Sequence, residues 1–229
     1  MSSGTVTTAT LPDGLDADRV ERMSAEELLA LVIERFHPRL YVACSFQKEA
    51  SVIMDMALRI APDVRFFTLD TGLLFRETYD TWRRLEERYG ITVDVYQGLS
   101  LARQEVPHGE RLWERDPNAC CDLRKVAPLK AALATVDCWV TGIRRDQSPT
   151  RAATPKLHWD ERHGLWKANP LADWSEKDVW RYIAAHDVPY NPLHDQGYES
   201  IGCTHCTVPG RGREGRWQGH GKTECGLHC

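Results

Sequence analysis

Short apolar runs that alternate with amphipathic helical stretches constrain this chain more than any other feature. Leu40-Tyr41-Val42-Ala43-Cys44, Val64 to Leu69 and Thr92 to Tyr96 are long enough for strands and too short for helices. Between them, Glu49 to Ile60 and Leu74 to Tyr89 carry helical periodicity, and a further helix over Leu123–Ala134 precedes a fourth strand over Asp137–Gly142. Ahead of all of these, Ser24-Ala25-Glu26-Glu27 is a capping box. Leu28, Leu29, Val32, Ile33 and Phe36 follow it at helical spacing, so a helix is expected over Ser24–Phe36, ended by His37-Pro38. Strand and helix in this alternation predict an α/β fold, a mostly parallel sheet with helices on both faces.

Further on, Leu157-His158-Trp159 and Leu165-Trp166-Lys167 flank Asp160 to Gly164 as a hairpin, and a helix over Ser175–Ala185 closes the domain. From about Pro189 onward glycine and cysteine dominate. The chain therefore reads as a polar, disordered leader over 1–18, an α/β domain over 19–188 and a Cys/Arg-rich segment over 189–229. The 229 residues suffice for one sizeable core with a small appended module. No apolar run approaches the roughly 18 residues needed to span a bilayer. The leader also lacks the basic-then-apolar pattern of a secretory signal, so a cytoplasmic protein with no membrane partner is expected.

The net charge of −4 gives no general affinity for nucleic acid, yet arginines gather at Arg144, Arg145 and Arg151 and again at Arg211, Arg213 and Arg216. Local basic pockets in an acidic chain suit a small anion better than a long polyanion. The loop over 144–154 lies just beyond the carboxyl end of a strand, where open α/β sheets bind ligands. After the first strand, Ser45-Phe46-Gln47-Lys48 occupies the place of a phosphate-cradling turn, with Ser45 as the candidate contact. It is neither a Walker loop nor the Ser-Gly-Gly-x-Asp-Ser loop of the ATP pyrophosphatases.

The eight cysteines do not suggest a disulfide framework, since the chain has a large apolar core and no secretory signal. Cys44 and Cys138 fall inside strand patterns and read as buried apolar residues. Cys120-Cys121 and Cys203-x-x-Cys206 form a quartet at ligand-like spacing. Adjacent thiols bridge each other only with strain and fit poorly round one tetrahedral zinc. An iron–sulfur cubane offers four separate corners, which neighbouring cysteines can share with a distant pair. Cys225 stands apart in Glu224-Cys225-Gly226-Leu227-His228, on a tail expected to move. A metal-bound thiolate is quenched as a nucleophile and a thiol on a mobile tail is not, so four cysteines would hold a metal centre while the fifth does chemistry.

From about residue 25 onward the pattern resembles the assimilatory phosphoadenylyl- and adenylyl-sulfate reductases, specifically the iron–sulfur branch. The motifs that carry the likeness are Cys120-Cys121 with Arg124-Lys125, the loop Gly142-Ile143-Arg144-Arg145-Asp146-Gln147-Ser148-x-Thr150-Arg151, Gly202-Cys203-x-x-Cys206-Thr207, Arg213-Glu214-Gly215-Arg216-Trp217 and Glu224-Cys225-Gly226-Leu227-His228. The resemblance implies a Rossmann-like, doubly wound, adenine nucleotide alpha-hydrolase-like fold with a Cys-rich C-terminal tail. It also implies one 4Fe-4S cluster on Cys120, Cys121, Cys203 and Cys206, with Cys225 as the nucleophile. Lys125, Arg144, Arg151, Arg213 and Arg216 are the candidates to neutralise the phosphate and sulfate of adenosine 5'-phosphosulfate, because arginine suits such oxyanions.

By the same resemblance, sulfur transfers to Cys225 as an S-sulfocysteine with release of AMP, and thioredoxin or a glutaredoxin-like donor then liberates sulfite. His228 would orient or tune Cys225, although a histidine near a terminus is more often exposed. The chain departs from the pattern in its short Thr207 to Gly212 segment, which leaves Arg211 unassigned, and in Cys229, one residue past Leu-His. Cys229 is expected to be a terminal bystander rather than a resolving thiol. Rival readings are a reductase of the 3'-phosphorylated nucleotide, or of both nucleotides, and a metal-bearing RNA-binding module, against which the acidic charge counts. A homo-oligomer is open.

Overall fold

A computed structural model describes residues 16–228 of the chain. Its centre is a six-stranded sheet of β1 (Leu40–Ala43), β2 (Arg65–Asp70), β3 (Asp94–Gln97), β4 (Cys138–Val140), β5 (Leu157–Asp160) and β6 (Leu165–Ala168). The strand order is β3-β2-β1-β4-β6-β5, parallel throughout except that edge strand β5 runs antiparallel to β6. The expected α/β architecture is present, and the expected hairpin supplies the antiparallel edge.

Neighbouring strand residues point to opposite faces, and both faces are covered. Val42, Phe66, Cys138 and Val140 pack on one side against α2 (Ala25–Phe36), α3 (Lys48–Ile60) and α9 (Glu176–His186). Tyr41, Phe67 and Trp139 pack on the other side against Leu129, Ala132 and Leu133 of α8 (Ala127–Leu133). The capping box of α2 forms as expected, with Ser24 Oγ accepting from Glu27 N and Glu27 Oε2 accepting from Ser24 N.

Three differences from the sequence reading matter. A short helix, α1 (Ala17–Arg22), capped by Asp16, already contains the last two residues of the expected leader; residues 1–15 lie outside the described residues, as does Cys229. The stretch between β3 and Cys120, unassigned from sequence, forms α5 (Leu101–His108) and α6 (Leu112–Arg115). The helix expected from Leu123 starts earlier, at α7 (Pro117–Cys121), with Asp116 as its cap. It passes through a π turn over Asp122–Val126 before continuing as α8.

The segment after α9 returns to brace the first crossover. His194 Nε2 accepts the N–H of Lys48, the first helical residue of α3, while its Nδ1–H donates to the Tyr198 carbonyl at 2.7 Å. This geometry requires the neutral ring. Burial, helped by the nearby Lys48 charge and opposed by Glu49 and Glu176, depresses the imidazole to about 4. A histidine whose folded pKa lies below the unfolded value of about 6.5 contributes stability above that value and loses it as pH falls toward the folded one. The advantage of the wild type over His194→Ala in denaturant unfolding should be largest near neutrality. It should shrink by up to about 3 kcal/mol between pH 6.5 and 4.

Candidate active site

The strand order reverses direction between β1 and β4, so the connections leaving their carboxyl ends diverge and open a crevice. A cleft occupies it, walled by Ser45, Gln47 and Glu49 after β1, Thr68 and Thr71 at β2, and Thr141, Gly142 and Ile143 after β4. Cys44, read as a core cysteine, is buried but reaches this wall. Ser45 reaches it as expected. The turn beside it is held open by Phe46, at φ +57°, whose buried ring stacks on Trp82 at 5.1 Å. Gln47 Oε1 accepts from Ile201 N at 2.7 Å and ties the turn to the C-terminal segment. With Lys48 N–H taken by His194, the remaining first-turn N–H groups of α3, at Glu49 and Ala50, have no acceptor within the helix and line the cleft.

Four of the five expected cations, Lys125, Arg151, Arg213 and Arg216, line the cleft. The fifth does not. Arg144 turns inward to a buried ion pair with Glu49, Nε to Oε1 at 3.0 Å, and bonds Asp146 as well, so its charge is spent inside the fold. Arg216 donates to Ser200 Oγ at 3.0 Å and lies over the Trp217 ring at 4.5 Å, yet its Nε finds no acceptor. Arg213 is pushed down to about 10 by burial and then by the neighbouring charges of Arg151 and Arg216. Arg211, unassigned from sequence, is exposed. Four cations thus gather at one cleft, and two of their donors, Arg213 Nη2 and Arg216 Nε, lack acceptors, an arrangement that suits an anion.

The tail that carries Cys225 folds into this cleft rather than projecting from it. Cys225 is buried against Cys121, Trp217 and Leu227. Burial alone would raise its thiol, but Lys125, the Leu227 N–H, Arg216 and Arg213 outweigh that effect and lower it. His228, expected to orient or tune Cys225, is stacked on Trp139 at 5.5 Å with an interplanar angle of 15°. Burial first, then Lys167 and the arginines, holds it well below the usual histidine range and neutral. Arg162, in the β5–β6 turn, donates to the Gly226 carbonyl at 2.6 Å, and Glu224 is held by Arg151 at 2.8 Å.

The quartet also assembles. Cys120, Cys121, Cys203 and Cys206 line a second, smaller cavity together with Arg124, Lys125, Trp113 and Trp217. Its outer wall is His205 stacked on Trp113 at 4.3 Å. Burial, then the other thiols, pushes Cys120 and Cys206 up to about 11, and burial raises Cys121 as well. Such thiols become thiolates only when a cation compensates them, which is ligand chemistry and the reverse of the Cys225 environment. Among the described residues no three His, Cys, Asp or Glu side chains converge to hold a single metal ion. The buried Nε and Nη2 of Arg124 and the indole N–H groups of Trp113 and Trp217 lack acceptors around this cavity. Four thiols spread round one space, with unmet donors facing it, fit a cluster with its own sulfides better than one ion.

Sequence reading gave no role to Glu224, Arg162, Trp139 or Gln147, whose Oε1 accepts from Arg151 Nη1 at 2.6 Å. Glu224 has a local signal, since it directly precedes Cys225 in the Glu224-Cys225-Gly226-Leu227-His228 motif. Arg162 and Trp139 carry no local signal, because only the fold brings them to the tail.

Fold and site together give an α/β protein with a cation-lined crevice at the switch point of its sheet and a buried thiol beside it. Residues 39–209 match the phosphoadenosine phosphosulfate reductase domain, and the chain belongs to that family. It is 46% identical over 210 residues to adenosine 5'-phosphosulfate reductase of Lysinibacillus sphaericus, covering 89% of this chain and 90% of that one. It is 48% identical over 196 residues to adenosine 5'-phosphosulfate reductase 1 of Bacillus subtilis, covering 83% and 84%. The crystal structure of phosphoadenylyl-sulfate reductase from Candida auris, a phosphate complex, superposes with a TM-score of 0.74 at 32% identity, over 85% of this chain and 98% of that one. FMN adenylyltransferase from Candida glabrata, 13% identical with a TM-score of 0.60 over 84% of this chain and 63% of that one, shares the fold alone.

Gly202 offers a direct test of the cation ring. A Cβ there would overlap the Arg216 guanidinium, with Cζ at 2.6 Å. Gly202→Ala should displace Arg216 and weaken AMP binding by about tenfold, the equivalent of one charge-assisted hydrogen bond, as read by calorimetry on protein with an unchanged circular dichroism spectrum.

Proposed function

We propose that this protein is an assimilatory adenylyl-sulfate reductase, reducing adenosine 5'-phosphosulfate to sulfite and AMP at the expense of thioredoxin or a glutaredoxin-like dithiol in the cytoplasm. The observation that carries this reading is the contrast between thiols. Cys225 is buried in the anion cleft with its thiol lowered by cations, while Cys120, Cys121 and Cys206 of the quartet beside it are raised. Reduced cysteines fit a reducing compartment, and all seven described cysteines are free. Among the described residues no helix is long and apolar enough to cross a membrane. The adenosine 5'-phosphosulfate reductases of Lysinibacillus and Bacillus support the nucleotide without a 3'-phosphate as substrate.

In this reading, the Thr and backbone groups after β1, β2 and β4 hold the nucleoside, and Arg151, Arg213, Arg216 and Lys125 neutralise its phosphate and sulfate. The Cys225 thiolate attacks the sulfate sulfur. The bond from sulfur to the bridging oxygen breaks, its electron pair leaves with AMP, and Cys225 carries the sulfo group. Neutral His228, fixed on Trp139, holds the tail without adding a further positive charge beside the cations already at the thiolate. A donor thiolate then attacks Cys225 Sγ, sulfite departs with the S–S electron pair, and the donor's second thiol resolves the mixed disulfide, so the donor supplies both electrons. Cys120, Cys121, Cys203 and Cys206 would hold a 4Fe-4S cluster, which would supply fixed charge and rigidity rather than electrons.

Anaerobic assay of sulfite release with thioredoxin should give clearly higher kcat/KM for adenosine 5'-phosphosulfate than for its 3'-phosphorylated form; comparable values would make the enzyme dual. Cys225→Ser should retain nucleotide binding and any brown absorbance yet form no sulfo-adduct by mass spectrometry, and an adduct on another cysteine would refute its role. Cys121→Ser or Cys203→Ser should lose iron, colour and activity together, and full iron content would remove the cluster from the reading.

A further inference from the structure

The side chain that precedes the nucleophile occupies the donors that an anionic substrate needs. Glu224 is buried to 7% exposure although it lies on a surface tail. Arg151 grips it with a fork, Nε to Oε1 and Nη2 to Oε2, both at 2.8 Å, and Thr150 Oγ1 adds a bond at 3.3 Å. Arg213 Nη2 stands 3.0 Å from Oε2 but points no hydrogen at it, so that buried donor stays unmet. Burial would raise the Glu224 carboxyl, and the arginines hold it below the usual range instead. One carboxylate therefore sits between two guanidiniums that line the cleft, in the manner of a bound oxyanion.

We infer that Glu224 is a positioning residue acting as the tail's own anion: it locks Cys225 into the cleft of the nucleotide-free protein and competes with the substrate's oxyanions for Arg151 and Arg213. This rests on the proposed reductase reading, whose substrate brings a phosphate and a sulfate to the same cations. Two anions cannot share that buried pair cheaply. A second negative charge beside an unscreened carboxylate is repelled at low dielectric, and the fork that binds carboxylate in two-point fashion binds phosphate or sulfate the same way. The misaligned Arg213 is where an incoming oxyanion gains most, because its donor has no hydrogen bond to give up. Anion entry then loosens Glu224, and with it Cys225, one peptide away. The outer anchor from Arg162 to the Gly226 carbonyl is a single exposed hydrogen bond and holds the tail only weakly by itself.

The test uses the iron-loaded full-length protein and reads binding and accessibility, not turnover. Glu224→Gln keeps the shape and removes the charge. It should bind AMP about tenfold tighter than the parent by calorimetry, because Arg151 and Arg213 no longer have a resident anion. Unchanged or weaker AMP binding in a folded Glu224→Gln variant overturns the inference, since a merely structural contact would leave affinity alone or reduce it. In the unmodified protein, saturating inorganic sulfate should accelerate alkylation of Cys225 by iodoacetamide several-fold over chloride at equal ionic strength, followed by peptide mass spectrometry. No acceleration overturns it even if the variant fails to fold. Neither readout involves sulfite formation, so failure of the reductase assay and failure of this competition are separate results.

Discussion

A lysine that burial would neutralise, kept charged by sulfur on two sides, is the interaction on which the rest of the site depends. Among the described residues, Lys125 alone lines both the cation-lined cleft and the cysteine cavity. Burial pulls its pKa down, and Cys203, Cys225 and Cys121 more than restore it. Its charge is also the largest favourable influence on Cys225. An ammonium drawn out of water is costly unless paired, and Lys125 and the Cys225 thiol each favour the charged form of the other.

The C-terminal segment that carries two of the quartet cysteines also builds the floor on which a nucleotide would rest. His194 caps α3, Ile201 N–H fixes Gln47, and Gly202 makes room for Arg216. Thr71, at the end of β2, touches Cys203 Sγ at 3.3 Å and accepts from Arg124 through its carbonyl. Sheet, anion cleft and cysteine cavity are thus one mechanical unit, although the sequence separates its parts by more than a hundred residues. A change at the quartet must be felt at the first crossover.

The centre of the sheet was legible because β1, β2 and β4 are short apolar runs bounded by breakers, and burial on both faces leaves no other use for such runs. α5 and α6 were not, since 101–115 is polar, holds Pro107, and buries little beyond Gln104, Leu112 and Trp113. The thiols and most of the cations were legible as motifs, whereas their division of labour was only partly so. Arg144 and Arg151 stand in one loop with equal claims, and nothing local says that Glu49 captures the first. The tail looks mobile by composition, because its burial depends on Trp139, Arg162 and the arginine pair, all distant in sequence. Glycine and a terminal position describe freedom in the unfolded chain, and tertiary partners decide how much of it survives.

The π turn over Asp122–Val126 lets a single helix serve two masters. Upstream of it, α7 aims Cys120 and Cys121 at the cysteine cavity; downstream, α8 must set Leu129, Ala132 and Leu133 on the sheet. An uninterrupted α-helix advances about 100° per residue, so it offers both tasks only one phase. The wider turn acts as a gear with one extra tooth, setting the phase of the ligand-bearing half independently of the half that packs. Deleting Val126 would leave Cys120-Cys121 and Arg124-Lys125 intact in sequence and still turn both cysteines away from their cavity.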